Sequence, residues 1–249
     1  MKNKILEIKN LTKNYHNQNG EIKAIENITF DINEGEFIAI VGPSGCGKST
    51  LLSILANLTQ KSSGEIINKN NLKIGYMLQQ DSLFPWRNIL DNCLIGLEIN
   101  KNLTEENKQY TINLLKTYGL IDFINKYPDD LSGGMRQRVA LIRTLAIKPD
   151  ILLLDEAFSA LDSQTRIAVR DDVYNIIKKE KKTAIMVTHD IEEAISMADK
   201  IIVLTKRPAS IKKIYNINFK NEKNPLKKRL SSQFNDYYNM IWKDLDVKL

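Results

Sequence analysis

The sequence predicts an α/β protein with a mainly parallel sheet core, an N-terminal antiparallel β subdomain and an inserted α-helical subdomain. Three observations predict the parallel core and the helical insertion. The runs "EFIAIV", "DILLLD" and "TAIMVT" are nearly continuous and apolar, as strands covered on both faces are. Each leads into a helical pattern, and strand–helix alternation argues for an α/β sheet. From about 88 to 148 the buried-strand signal vanishes and helical periodicity takes over.

Taken in order, "ILEIKNLTKNY" and "IKAIENITFDI" alternate apolar and polar residues and predict half-buried strands. "EFIAIV" ends at Gly42-Pro43, and Ser49 to Leu58 continues as a helix. In "TEENKQYTINLLKTYGL" Thr104 is a cap with an acid close behind it, and periodicity runs to Gly119. "DILLLD" precedes a helix over Ser163 to Lys179, and "TAIMVT" one over Ile191 to Ala198. From Asn224 onward, "PLKKRLSSQFNDYYNMIWKDLDV" is weakly amphipathic and predicts a terminal helix packed on the body. A membrane-surface helix is the alternative, although its polar face mixes acids with bases. Without repeats, low-complexity tracts or Pro/Gly-rich linkers, the chain reads as one domain over 1–220, with 88–148 inserted. A basic helical extension follows over 221–249.

The chain has 249 residues, enough for a full core, and 43% hydrophobic with 27% charged residues suits a soluble globular protein. The net charge of +6 is concentrated toward the tail, in "IKKIY" and "NPLKKRL". Such a face suits nucleic acid, anionic lipid or an acidic protein, but lysines not clustered into one long block read first as a solvated surface. Cys46 and Cys93 have no CxxC or Cys/His metal spacing, which excludes a disulfide framework and suits a reducing cytosol. The start soon turns polar, unlike a signal peptide. No apolar run approaches the roughly 20 residues that span a bilayer.

"GPSGCGKST" (Gly42, Pro43, Ser44, Gly45, Cys46, Gly47, Lys48, Ser49, Thr50) fits G-x-x-x-x-G-K-[ST] between a strand and a helix, the pattern of a P-loop NTPase. Its glycines let successive N–H groups converge on phosphates. Lys48 is placed for the β- and γ-phosphates and Ser49 for Mg²⁺. In "ILLLDEAFSALD", Asp155 ends a buried strand, where a divalent metal is the natural partner, directly or through water. Glu156 is the candidate general base for the attacking water. His189 in "MVTHDIEEA" reads as a cap or packed residue, or as a donor to the γ-phosphate. "DDLSGGMRQRVAL" is a second candidate anion site: Ser132, Gly133 and Gly134 open a helix whose dipole favours negative charge.

Together "GPSGCGKST", "MLQQD", "LSGGMRQRVAL", "ILLLDEAFSALD" and "MVTHD" resemble the ATP-binding cassette (ABC) ATPase family in order and approximate spacing, over roughly residues 3 to 215. The resemblance implies ATP and Mg²⁺ as cofactors. It implies that Gln79, or the adjacent Gln80, links Mg²⁺ and water to the helical subdomain. Tyr15 matches the aromatic that stacks on adenine, unless it is a surface tyrosine at a strand end. The family signature binds the γ-phosphate held by another subunit, so Ser132, Gly133 and Gly134 would act in trans in a head-to-tail dimer of two copies. Met135 stands where the family usually carries glutamine.

"FPWRNILDN" and "VTHDIEEAISMADKIIVLTKRP" are most similar to ATPase subunits of nitrate/sulfonate/taurine importers. That implies a peripheral subunit on the cytoplasmic face, docked beneath two membrane permease subunits and fed by an extracytoplasmic solute-binding protein, with no nucleic acid involved. The chain leaves no room for the C-terminal β domain of sugar-importer ATPases. By the same resemblance Phe84 and Trp86 are permease contacts, with core packing as the alternative. A non-transport ATPase acting on nucleic acid or ribosomes, and an export ATPase, are the competing functions.

Overall fold

In the computed structural model, which describes residues 3–17, 20–68, 71–159, 161–219, 222 and 224–245, the alternating N-terminal segments pair as expected. Lys4–Asn17 (β1) runs antiparallel to Gly20–Asn33 (β2). Phe37–Val41 (β3) is buried at every residue, and its fully buried isoleucines contribute about 1.5–3 kcal/mol each. It leads through the glycine-rich turn into Lys48–Leu55 (α1), which begins one residue before and ends three residues before the expected helix. Ser63–Asn68 (β4) then returns to β1 and completes a three-stranded sheet, β2-β1-β4.

Contacts divide the chain into two compact units: one drawn from residues before Lys73 and after Glu180, the other Lys73–Glu180. The second begins with Ile74–Met77 (β5) and continues through Ile89–Ile99 (α2), Glu105–Thr117 (α3) and Gly133–Ala146 (α4). Ile151–Asp155 (β6) pairs with β5 in parallel, and Ser163–Lys179 (α5) follows. Four of its helices open on side-chain caps: Asn88, Thr104, Ser132 and Asp162 each accept a first-turn N–H. The Tyr110 and Tyr118 hydroxyls both donate to Glu180 at 3.2 Å and tie α3 to the end of α5.

The first unit resumes at Thr183–Thr188 (β7), followed by Ile191–Met197 (α6), Lys200–Leu204 (β8) and Ile211–Asn216 (β9). β3 lies between β7 and β8, parallel to both, and β9 is an antiparallel edge. The predicted C-terminal helix is two, Pro225–Arg229 (α7) and Ser232–Asp244 (α8), interrupted at Leu230-Ser231. It packs on its own unit: Phe234 and Ile241 are buried, and the Tyr215 hydroxyl donates to Asp244.

Four strands escape the sequence reading, each for a physical reason. β4 and β5 are short and partly exposed, so neither makes an apolar run. β9 is an edge strand whose lysines mask its pattern, as edge strands often are. The apolar residues of β8 follow those of α6 almost without a break in the sequence.

Candidate active site

The phosphate loop follows from the end of β3. Gly47 sits at φ +125°, and a Cβ there would stand 3.0 Å from the Ala24 carbonyl oxygen on β2, so both conformation and space demand glycine. Lys48 is buried, and its Nζ donates to the Gly42 and Pro43 carbonyl oxygens at 2.9 and 3.2 Å. The ammonium is thus folded over the loop whose N–H groups would face a phosphate. Ser44, Gly45 and Ser49 are exposed there, while Pro43, Gly47 and Thr50 are half-buried. Cys46 is buried and burial pushes its thiol up; Cys93 is fully buried, its thiol pushed up to about 12. Burial thus disfavours the thiolate, the form that attacks electrophiles or binds metal, at both.

Lys48→Ala is expected to weaken nucleotide binding at least tenfold, because hydrogen bonds to charged groups are worth about 1.5–3 kcal/mol. A fluorescent-nucleotide titration checks this, and unchanged affinity would count against the phosphate cradle.

The parallel register Val41↔Thr188 brings the ends of β3 and β7 together, so His189 leaves the sheet at the same edge as the loop. Two of its sequence readings fall here. The cap of α6 is Asp190, which accepts the Glu193 N–H, and His189 is exposed rather than packed. Tyr15 pairs with Ile22 on β2, two residues from Ala24. Strand geometry puts it roughly 7 Å along and about 5 Å across from the strand that abuts Gly47. Its ring is 41% exposed, with the Lys13 ammonium 4.7 Å from its centroid.

The acids belong to the Lys73–Glu180 unit. The Tyr76 hydroxyl donates to Asp155 at 2.9 Å, across the β5–β6 pair. Glu156 has φ +43°, a left-handed conformation that costs a non-glycine residue about 1–3 kcal/mol and clusters at functional sites. Ser159 holds that turn: its N–H and hydroxyl donate to the Glu156 carbonyl at 3.0 and 2.9 Å. The Gln79 amide donates to the Ser159 hydroxyl at 3.2 Å, which ties Gln79 to the same turn. Arg136 and Arg143 of α4 grip the next residues, the Asp81 carboxylate at 3.1 Å and the Asp81 and Ser82 carbonyls at 2.6 and 2.8 Å. The signature helix and the acid-bearing turn are therefore joined through one loop.

Ser132 caps α4 by accepting the Met135 N–H at 3.3 Å and remains exposed, with Gly133 half-buried beside it. The Gly133 and Gly134 N–H groups belong to the first turn, where no intrahelical acceptor exists. Gly134 has a second reason to be glycine: a Cβ would meet Val169 at 2.8 Å and Thr165 at 3.0 Å on α5. Among the described residues no cluster of three His, Cys, Asp or Glu could hold a metal. Ser49 in the first unit, and Asp155 and Gln79 in the second, each carry a hard oxygen, the donor type that Mg²⁺ takes.

The ABC transporter family profile matches residues 25–159. A Bacillus subtilis protein, YtlC, described as an uncharacterized ABC transporter ATP-binding protein, is 46% identical over 97% of this chain and 95% of its own. The chain belongs to the ABC transporter family. It is an ATP-binding cassette and an ATPase. The Bacillus cereus aliphatic sulfonates import ATP-binding protein SsuB is 38% identical over 83% of this chain and 84% of its own. Among solved structures, the cassette MJ0796 in a dimeric post-hydrolysis state bound to ADP and Pi superposes with a TM-score of 0.72. It is 33% identical and covers 86% of this chain and 99% of its own.

The sequence reading of this ABC cassette missed the groups that hold its site residues. Tyr76 and Ser159 belong to no motif that the sequence singles out for them. Glu193 stands beside exposed Glu192 in the first turn of α6, yet it is buried. Only their partners reveal them.

Proposed function

We propose that the protein is the ATP-hydrolysing subunit of an importer for a small solute of the nitrate, sulfonate or taurine kind. The observation that carries this is its 38% identity to a protein named as an aliphatic sulfonates import ATP-binding protein. No helix among the described residues is long and apolar enough to cross a membrane, and in this reading the solute path belongs to separate permease subunits. The cassette would then lie against the cytoplasmic face of the membrane, as a head-to-tail dimer. In this reading Gly42–Thr50 cradles the phosphates and Tyr15 stacks on adenine. Bound Mg²⁺, held by Ser49, Asp155 and Gln79, would neutralise phosphate charge. Glu156 aligns and deprotonates the attacking water, and His189 donates to the γ-phosphate. Ser132, Gly133 and Gly134 reach the nucleotide of the other copy. Closure is then stable only while γ-phosphate is present, which converts hydrolysis into movement.

The docking surface proposed for the permease centres on Trp86. It is 72% exposed, so it is not a core residue, and its ring lies 5.2 Å from that of half-buried Phe84. Aromatic anchors of this kind dominate interfaces. Trp86→Ala is expected to reduce permease-stimulated turnover severalfold while ATP binding by the isolated subunit stays intact. Co-purification with a membrane permease, and uptake that fails when the cassette is deleted, test the function itself. Salt-sensitive nucleic-acid binding without a permease would overturn it.

A further inference from the structure

The turn between β7 and α6 carries His189, and the groups that shape it form a hydrogen-bonded ring. Thr188, the last residue of β7, is buried; its hydroxyl donates to the Glu193 carboxylate and accepts the Asp190 N–H at 3.0 Å. Asp190 in turn accepts the Glu193 N–H at 3.0 Å. Residues 188 and 190, on either side of His189, are both tied to Glu193. Glu193 is 4% exposed, whereas its neighbour Glu192 faces solvent as a first-turn acid ordinarily does. A carboxylate is expensive to bury and is retained where its hydrogen bonds have a task.

The far end of α6 is held as well. The Ser196 hydroxyl donates to the Glu193 carbonyl at 3.0 Å. Lys228 of α7, only 5% exposed, donates through Nζ to the Ser196 carbonyl at 3.0 Å. A cation on the last carbonyls of a helix also suits its dipole. The C-terminal segment thus braces the helix from which Glu193 reaches back to the turn.

We propose that Glu193 is a positioning residue for His189. It locks the turn so that the imidazole stands at the end of β7, next to the strand that carries the phosphate loop, and α7 steadies α6 through Lys228. The proposal rests on the reading that His189 acts on the terminal phosphate of ATP.

Steady-state ATPase assays and nucleotide titrations of the full chain test it, with H189A, E193A, E193Q, T188V and the double variants H189A/E193A and H189A/T188V. E193A and T188V are expected to lower kcat about tenfold, as small misplacements of a reacting group do, with KM for ATP unchanged. E193Q, whose amide oxygen still accepts the Thr188 hydroxyl, retains most of the activity. In the H189A background neither E193A nor T188V lowers turnover further, because residues acting as a unit are not additive. Should E193A fail to fold, T188V, which keeps side-chain shape, carries the same comparison. Equal losses with and without His189, or full turnover in both E193A and T188V, would overturn the proposal. Full turnover in H189A would instead remove the role of His189 on which it stands.

Discussion

Glu156→Gln is expected to lower ATP turnover at least about 10²-fold while ATP binding survives, since a positioned general base contributes about 10²–10⁴ in rate. The substitution keeps the shape of the side chain and removes only its charge and basicity. The turn should survive it, because the Ser159 N–H and hydroxyl bond the Glu156 carbonyl, a main-chain group that the substitution keeps. Strain at that position also has a direct reading. A non-glycine residue held left-handed directly after a buried strand is an outlier of the kind that clusters at functional sites. With hydrolysis stalled, the ATP-bound state should accumulate as a dimer visible by size-exclusion chromatography in ATP. Near-normal turnover would remove Glu156 from the base role and shift attention to Gln79 or His189.

The architecture was legible wherever one element carried one strong pattern. "TAIMVT" became β7 and Ser163 to Lys179 became α5, residue for residue, because full burial and a long helical period leave little ambiguity. Edge strands and short strands were not legible, since solvent on one side dilutes the apolar signal that defines a strand. The candidate site divides the same way. Lys48, Asp155 and Glu156 stand out because phosphate and metal chemistry demand particular residue types at fixed spacing. What orients them is written in tertiary contacts. Nothing in "IGYM" says that its tyrosine will meet Asp155, and nothing in "DIEEA" says which glutamate turns inward. The glycines of "LSGG" show the limit most clearly. Read as an anion cradle, Gly134 is equally required by the approach of α5, so its presence alone does not prove a phosphate site.

That ambiguity is what the second large effect resolves. Ser132→Arg is expected to abolish hydrolysis, by at least about 10²-fold, comparable to the loss of a donor that stabilises developing charge. ATP binding to the isolated subunit should be unaffected. Arginine also removes the cap of α4, worth about 1 kcal/mol, so the result alone does not separate a lost contact from a frayed helix. Ser132→Asp does. Aspartate is as good a cap as serine and keeps the Met135 N–H satisfied, but it places a negative charge where the γ-phosphate of the other copy would lie. If the signature works in trans, both variants block turnover and both bind ATP. If the aspartate variant behaved as wild type while the arginine variant failed, the helix and not the phosphate would be the cause. Mixing each with the Lys48→Ala variant takes the argument one step further. In a mixed dimer the intact phosphate loop of the signature variant faces the intact signature of its partner, so one competent site is restored. Turnover recovered on mixing, and lost again on dilution, can arise only if two chains share one nucleotide.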